Sequence, residues 1–198
     1  MSSPSQRPGG RSARVRDAVF EAVLSELAER GFAATTIEDV ATRSGVHKTT
    51  IYRRWGTLTQ LVTEAVVDLS EITVPIPDTG SLESDLRAMA RSIVDLVTNN
   101  PGRTLVRTLF SDAVRTPEIA EFKRTFYAKR YALADVIVQR GVQRGEIPAD
   151  VSPADLLAAV AAPIYYRLLV ADMPVDAAVG DRAAAGAVAA ARAGALSG

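Results

Sequence analysis

The segment Gly45–Trp55, GVHKTTIYRRW, gathers hydrogen-bond donors and contains no acidic residue. It holds one lysine, two arginines, two threonines, one tyrosine and the only histidine of the 198-residue chain, and it ends in the only tryptophan. Residues of these types suit three roles: acid–base catalysis, contact with a phosphate backbone, or a helix face exposed to water. The rest of the sequence decides among these roles.

Catalytic and metal-binding constellations are missing from the sequence. The chain has no cysteine and one histidine, which excludes cysteine nucleophiles, thiolate sites and metal centres built from several histidines. It also contains no GxSxG nucleophile elbow, no glycine-rich phosphate loop and no HExxH motif. We therefore predict a protein that is not an enzyme and that needs no metal or other cofactor.

Two short helices around a glycine must position the donor-rich segment. Thr36 is the predicted N-cap of the first helix, and Gly45 supplies the positive φ of the turn. The apolar positions that suit a steep crossing of the two helices are Ile37, Val40, Ala41, Val46 and Ile51. This pattern is typical of a helix-turn-helix, whose second helix enters the major groove of DNA. The residues left outside the apolar set, none of them acidic, are His47, Lys48, Thr49, Thr50, Tyr52 and Arg53.

The remainder of the chain has the pattern of an all-α protein. Glycine and proline fall at the ends of segments, and no stretch alternates apolar and polar residues as a strand does. Residues 1–10 are predicted to form a disordered tail, and residues 11–73 a DNA-binding domain of short helices around the helix-turn-helix. After a proline-containing linker, residues 81–198 are predicted to form a larger helical domain for ligand binding and dimerisation. In that domain, helices are predicted to begin after the caps Ser81 and Ser152, at Pro101 and Pro117, and after Pro174.

Charge is unevenly distributed along a chain whose formal net charge is zero. Residues 1–55 contain nine Lys/Arg and six Asp/Glu, a balance of +3, and residues 56–198 contain fourteen and seventeen, a balance of −3. A basic N-terminal region fits a local polyanion site. The first ten residues lack the apolar core of a signal peptide, and the longest apolar run, Leu156–Tyr166, is too short to span a bilayer. We therefore expect a soluble cytoplasmic protein with no membrane partner.

The sequence TTIEDVATRSGVHKTTIYRRW, followed by LTQLVTEAV, resembles the DNA-binding domain of the TetR family of bacterial transcriptional repressors over about Arg11–Val67. The stretch RGEIPADVSPADLLAAVAAPIYYRLLV resembles the C-terminal ligand-binding domain of an actinobacterial subgroup. The resemblance implies an all-α homodimer that places two recognition helices on a palindromic operator of double-stranded DNA. It also implies a small-molecule inducer that binds the C-terminal domain and releases the operator.

The outward direction of the side chains on the recognition helix and the resemblance to the family together predict roles for the donor-rich residues. The residues predicted to read base edges are Lys48, Thr49 and Arg53. By resemblance, the residues predicted to hold the DNA backbone are Thr50 and Tyr52. Thr36 and Thr57 stand at helix N-termini, where free N–H groups favour a phosphate.

Positions near the recognition helix leave questions open. The family commonly has a lysine where this chain has Leu58, so Arg54 or Arg14 is a candidate for the missing charge. His47 stands where the family prefers a small capping residue, and capping the helix, contacting a phosphate and reading a base are equal alternatives. Trp55 is predicted to be a core residue that fixes the recognition helix to the first and fourth helices.

Aromatic residues of the larger domain are candidates for the inducer pocket. The predicted ligand-binding residues are Phe110, Phe126, Tyr127, Tyr165, Tyr166 and Arg167. Ordinary core packing is the alternative for the aromatic residues. A buried Arg167 would need an acidic partner or an anionic ligand, and the alternative is that it reaches the surface. Pro163 is predicted to kink its helix and make room for a pocket.

The last two helices are predicted to form the dimer interface. One helix contributes an apolar stripe of Leu156, Val160, Ile164 and Val170. The other contributes a smooth face of small residues that allows close helix packing, namely Gly186, Ala190 and Gly194. The alternative is that the alanine-rich helix merely covers its own subunit. A rival to the repressor function is a small-molecule binding protein in which the helix-turn-helix is a relic.

Overall fold

The computed structural model describes residues 10–110 and 117–197, which fold almost entirely into helices. The nine helices of these residues are α1 (Gly10–Arg30), α2 (Ile37–Ser44), α3 (Lys48–Trp55), α4 (Leu58–Thr73), α5 (Leu82–Thr98), α6 (Asn100–Phe110), α7 (Pro117–Gln143), α8 (Pro153–Leu169) and α9 (Ala177–Arg192). Within the same ranges there is no β-strand, only an isolated bridge between Val151 and Ser197. No described helix is both long and apolar enough to cross a membrane. The predicted all-α fold is confirmed.

Predicted caps set the starts of four helices. The hydroxyls of the capping residues each accept a hydrogen bond from the backbone N–H three residues later, and these residues are Thr36, Thr57, Ser81 and Ser152. α6 begins at Asn100, one residue before the predicted start. α1 begins at Gly10, so the last residue of the predicted disordered tail is helical. The rest of that tail lies outside the described residues.

Helices α1–α4 form the N-terminal part of the structure, which we call the head. Its core is built from the apolar faces of all four helices, and Leu27, Ile51 and Leu61 are fully buried in it. Leu105 of α6 and Phe122 of α7 complete the same core. The head is therefore joined to the rest of the molecule by shared core packing as well as by the linker.

Helices α5–α9 form the larger part, which we call the body. α9 packs against α5 and α8 through a face of small residues. At Gly180 the approach is so close that an added Cβ would lie 3.1 Å from Val94 and 3.3 Å from the Ala90 backbone. The inner face of α9 therefore covers the core of its own subunit, while its outer face is exposed. The residues predicted as its smooth face, Gly186, Ala190 and Gly194, lie on the outer side or are half-buried.

The apolar stripe predicted for the dimer interface on α8 is mostly internal. Leu156, Val160 and Ile164 are buried in the core of the body, so this part of the prediction is wrong. Helical periodicity finds an apolar face but does not tell whether the same subunit or another covers it. Val170, by contrast, is 71% exposed. α8 continues through Pro163 as one helix.

The linker between the head and the body is held by polar groups. The buried carboxylate of Asp85 accepts hydrogen bonds from the Thr79 N–H and hydroxyl, both at 2.6 Å. Arg140 of α7 donates to the Pro77 carbonyl at 2.9 Å and pairs with Asp78 at 3.1 Å. These contacts fix the path of the chain between α4 and α5.

Candidate nucleic-acid interface and ligand cavity

The first helix of the helix-turn-helix, α2, is fixed at both ends. The Thr36 hydroxyl accepts from the Asp39 N–H at 3.1 Å, and the Asp39 carboxylate accepts from the Thr36 N–H at 3.1 Å. Hydrogen bonding from Thr36 and the ion pair with Arg30, at 3.0 Å, lower the pKa of Asp39. At the other end, Gly45 has a φ of 68°, a left-handed conformation that glycine adopts without strain. The predicted N-cap and turn glycine are confirmed.

The only histidine caps the recognition helix, α3. Its Nδ1 accepts from the Thr49 N–H at 3.4 Å and lies 2.9 Å from the Thr49 hydroxyl. Of the three alternatives for His47, the structure therefore shows capping. Nε2 bonds to none of the described residues, so the ring keeps one nitrogen for a contact outside the protein.

One face of α3 is anchored in the core of the head. Ile51 is fully buried, and Trp55 is 3% exposed. The Trp55 ring lies 5.9 Å from the Phe20 ring of α1, and its Nε1–H donates to the Glu64 carboxylate of α4 at 3.0 Å. The predicted role of Trp55, fixing the recognition helix to the first and fourth helices, is confirmed.

The opposite face of α3 is exposed and carries no acidic side chain. The residues on or beside it are Lys48, Thr49, Thr50, Tyr52 and Arg53. Tyr52 is 46% exposed, although it is a large aromatic residue. Lys48 lies 3.6 Å from Glu38 of α2, with both side chains more than half exposed. Since such a surface pair contributes about 0–1 kcal/mol, it does not keep Lys48 from a DNA contact.

The two threonines predicted to meet phosphates are exposed at helix starts. Thr57 caps α4 by accepting from the Gln60 N–H at 3.2 Å. The first turn of α4 contains no acid, whereas Glu38 and Asp39 follow Thr36 in the first turn of α2. Because the helix dipole attracts an anion and a carboxylate repels one, the electrostatics favour a phosphate at Thr57 more than at Thr36.

The first turn of α1 lies beside α3 and adds a groove that sequence reasoning did not find. Arg54 donates to both the carbonyl and the hydroxyl of Ser12 at 3.2 Å, which holds α1 against α3. An open groove of about 590 Å³ between the two helices is lined by Ser12, Val15, Thr50, Arg53 and Arg54. Its two guanidinium groups and two hydroxyls suit one strand of a phosphate backbone.

Arg54 and Arg14, the candidates to replace the lysine charge that is missing at Leu58, both border the helix-turn-helix. Leu58 itself packs half-buried against the core of the head. Arg54 lies in the groove beside α3. Arg14 donates to the Gly10 carbonyl at 2.9 Å and lines a neighbouring surface with Val46 of the turn. Positive charge is thus available on either arginine.

A cavity of about 50 Å³ lies between the end of α4 and the body helices α5, α7 and α8. Phe126, Tyr127 and Tyr165 line it, as three of the predicted ligand-binding residues. Phe110 borders the cavity, because its ring stacks on Tyr165 at 6.0 Å and meets the edge of Tyr127 at 6.2 Å. Tyr166 does not join them, since it is 58% exposed on the outside of α8.

The arginine that lines the cavity is not the one predicted from the sequence. Arg167 lies outside the cavity and donates to the Pro174 carbonyl at 2.8 Å, so the structure shows the alternative in which it reaches the surface. Arg130 of α7 lines the cavity instead and is 5% exposed. It donates to the Val74 carbonyl at 2.9 Å and to the Ser70 carbonyl at 3.5 Å. Among the described residues no carboxylate forms an ion pair with it.

Burial dominates the electrostatics of this cavity. It lowers the pKa of Arg130, and it raises the pKa values of Tyr127 and Tyr165. The shifts have the same physical cause, since a low-dielectric environment disfavours the charged form of each group. Arg130 and Tyr165 are also close enough to affect each other's pKa values. The cavity therefore combines one buried cation with two neutral phenols.

Sequence reasoning missed Arg130, although its position carries a signal. Arg130 follows Phe126 by four residues and Tyr127 by three, so these side chains share one face of α7. A charged residue on an aromatic helix face needs a partner that the helix itself does not provide. The spacing of Arg130 from Phe126 and Tyr127 was therefore the signal by which the sequence could have indicated a buried arginine at this site.

A second, larger concavity lies between the head and the body. This groove has a volume of about 510 Å³ and runs between α1, α4, α5 and α6. Leu24, Leu69 and Leu105 provide apolar walls, and Glu21 and Glu29 of α1 lie at its edge. It offers apolar surface with acidic neighbours, whereas the smaller cavity offers a buried cation.

An exposed, acid-free recognition helix on a head with a packed core, joined to a helical body with a cavity, defines a DNA-binding regulator of the helix-turn-helix class. The chain matches the family described as bacterial regulatory proteins, tetR family, over residues 19–65, and a tetracyclin repressor-like C-terminal domain over residues 76–187. The protein therefore belongs to the TetR family of transcriptional regulators.

Individual relatives support the same assignment. The HTH-type transcriptional regulator AqdR of Rhodococcus erythropolis is 34% identical over 142 residues, which cover 72% of this chain and 68% of AqdR. The DNA-binding transcriptional repressor TetR of Mycobacteroides abscessus is 27% identical over 170 residues, 82% of this chain and 86% of that protein. The solved TetR family transcription regulator SCO0332 is 32% identical, with a TM-score of 0.72 over 89% of this chain and 97% of that one.

Proposed function

We propose that this regulator represses transcription by binding a palindromic operator as a homodimer, and that a small-molecule inducer releases it. The observation that carries the proposal is the exposed, acid-free face of α3, whose other face is locked into the head by Trp55. The relative from Mycobacteroides abscessus is named a DNA-binding transcriptional repressor, which supports repression as the mode of regulation. The head serves as the DNA-binding domain and the body as the ligand-binding and dimerisation domain.

The roles proposed on the DNA follow from position on α3. The residues that read base edges are Lys48, Thr49 and Arg53. The residues that hold phosphates are Thr36, Thr50, Tyr52 and Thr57. Arg54 contributes charge from the groove between α1 and α3. His47 caps α3 and offers its Nε2 to the DNA.

The outer faces of α8 and α9 are the proposed dimer interface. The exposed residues of that face of α8 and its end are Ala158, Ala162, Tyr166, Val170 and Met173, and those of α9 are Ala185, Gly186 and Ala189. The alanine and glycine residues of this patch lose little side-chain entropy on association and allow helices to approach closely, while Tyr166, Val170 and Met173 add apolar area. In an isologous dimer the same patch meets its own copy, and a stable interface buries roughly 800 Å² per partner.

The cavity at Arg130 is the proposed inducer site. Ligand sites commonly pair apolar walls with a few convergent polar groups, which this cavity has. The groove between the head and the body is larger, but its charged groups are the exposed carboxylates of Glu21 and Glu29, and Arg43 already pairs with Glu29. The smaller cavity also lies against the end of α4, the helix that leads into the head.

Selection of binding sites from random-sequence duplexes tests the DNA-binding function. We expect enrichment of one palindrome whose half-sites present major grooves roughly 34–36 Å apart or at a longer spacing. Gel-shift titration of the enriched duplex then gives the affinity and its salt dependence. A selection that enriches nothing at low salt contradicts the proposal and supports the rival in which the helix-turn-helix is a relic.

Charge placed on the outer face of α8 tests the dimer. In a Val170→Asp variant, two carboxylates would meet across the twofold axis, so we expect monomers in analytical ultracentrifugation and loss of operator binding. Ile72→Asp is the matched control, because Ile72 is 72% exposed on α4, away from this face. Dimeric Val170→Asp protein would place the interface elsewhere.

A further inference from the structure

We propose that the inducer is an apolar carboxylate, and that its acid group draws the Arg130 guanidinium away from the end of α4. This inference rests on the proposed function, because it names the ligand of the same site. It starts from a cation that is nine-tenths buried and that faces a cavity, yet is bonded only to backbone carbonyls.

No carboxylate of the described residues pairs directly with Arg130, and the exposed Glu71 acts on it only through a longer-range electrostatic interaction. A buried guanidinium is costly unless it is paired, and a pair with an anion satisfies it better than neutral acceptors do. Here the described residues supply only the carbonyl oxygens of Ser70 and Val74. A ligand with a single negative charge would balance the cavity. A phosphate dianion would bring more charge than one arginine compensates.

Two phenols complete the polar end of the site. The hydroxyls of Tyr127 and Tyr165 make no hydrogen bond to the described residues, and both side chains line the cavity. Burial raises the pKa of each, so both stay protonated and can donate. One guanidinium and two phenol O–H groups suit the two oxygens of a carboxylate.

The remaining wall is hydrocarbon and selects an apolar ligand. The residues of this wall are Ile93, Leu96, Phe126, Leu157 and Ala161. The present cavity of about 50 Å³ is much smaller than a typical ligand site of roughly 300–1,000 Å³. Binding must therefore displace side chains of this wall, and the half-buried Phe126 packs between the cavity and the head.

Displacement at this site reaches the head by two contacts. Arg130 holds the carbonyls at the end of α4, and a carboxylate would compete for the same N–H donors with a stronger, charge-assisted bond. Phe126 stacks on Phe122 at 5.8 Å, and Phe122 is part of the core of the head. Both contacts change when the cavity fills, so the ligand favours an orientation of the head that differs from the one in this structure.

Binding of matched acids and amides to the full-length protein tests the ligand class without DNA. The probes are octanoate and phenylacetate, with octanamide and phenylacetamide as neutral counterparts, measured by isothermal titration calorimetry. We expect at least one acid to bind at least about tenfold tighter than its amide. Arg130→Gln should abolish this preference, and Arg130→Lys should retain part of it. Arg124→Gln, the same change on an exposed position of α7, should keep it.

Two further variants keep the test valid if loss of acid binding in Arg130→Gln results from misfolding. If Arg130→Gln does not fold, Tyr127→Phe and Tyr165→Phe serve instead, and each should weaken acid binding several-fold and amide binding less, because the hydrogen bond to a carboxylate is charge-assisted. Equal binding of acids and amides, binding of acids that survives Arg130→Gln, or no acid binding tighter than about 1 mM would each overturn the inference. Acid binding unaffected by Arg130→Gln would point to the groove between the head and the body.

Operator release is then measured separately from ligand binding. The acid that binds should release the selected operator from the wild-type protein and not from Arg130→Gln. If the protein binds no operator, the proposed function fails while the acid preference still stands. If it binds an operator and shows no acid preference, only this inference fails.

Discussion

The recognition face of α3 and the cavity of the body both bring arginine and hydroxyl groups together, but they differ in burial. On α3 the anchoring residue Trp55 is buried, whereas Arg53, which we propose reads a base, is exposed, so stability and DNA binding are assigned to opposite faces of one helix. In the cavity, Arg130 and Tyr165 are inner residues and candidate contacts at once. Changes on α3 should therefore alter either stability or DNA binding. Changes in the cavity should alter stability and ligand binding together.

The largest expected effect is on the buried face of α3. Trp55→Ala removes the packing on Phe20 and the hydrogen bond to Glu64, and should lower the free energy of unfolding by about 3–5 kcal/mol. Denaturant titration followed by far-UV circular dichroism measures it, because the variant lacks the only tryptophan of the chain.

Tyr52→Ala is the control from the exposed face of the same helix. It should change the free energy of unfolding by no more than about 0.5 kcal/mol while weakening operator binding. A loss of stability as large as that of Trp55→Ala would break the separation between the two faces.

Arg53→Ala should produce the next largest effect, this time on DNA binding alone. If Arg53 reads a guanine, the change should cost about 1–3 kcal/mol of operator affinity and relax the sequence preference at one position. Competition gel shifts with single-base variants of the operator measure both quantities, and unfolding should be unchanged.

Lys48→Ala separates reading from phosphate contact on the same face. If Lys48 contacts only phosphate, the variant should show a shallower fall of log affinity with log salt. The negative slope should shrink in magnitude by about one, equally for all sequences. Equal effects of both variants on every duplex would contradict the proposed division of roles.

Much of the fold and half of the site could be predicted because they depend on local chemistry. The caps at Thr36 and Thr57 and the glycine turn at Gly45 require residue types that few other positions tolerate. The two faces of α3 also follow from its helical period. These features need no knowledge of distant parts of the chain.

The cavity and the dimer face could not be predicted in the same way, because they depend on which helices meet. Val160 and Ile164 have the pattern of an interface, but the same subunit covers them. Arg167 and Arg130 both stand beside tyrosines in the sequence, and only packing decides that Arg130 is the one that turns inward. Tertiary contacts of this kind leave a weak trace in sequence spacing.

The smallest expected effect concerns the acid stability of the head. Asp39 has a pKa below its usual 3.8, chiefly through the hydrogen bond from Thr36 and then through Arg30. Its contribution to stability is therefore present above about pH 4 and is lost as the pH falls below that value through the lowered pKa. Asp39→Asn should flatten this part of the pH dependence, measured by urea titration with the fluorescence of Trp55, which lies in the head. Thr36→Ala should flatten it in part, because it removes the first cause and leaves the second. An unchanged acid profile in both variants would show that the start of α2 is held by packing and not by charge.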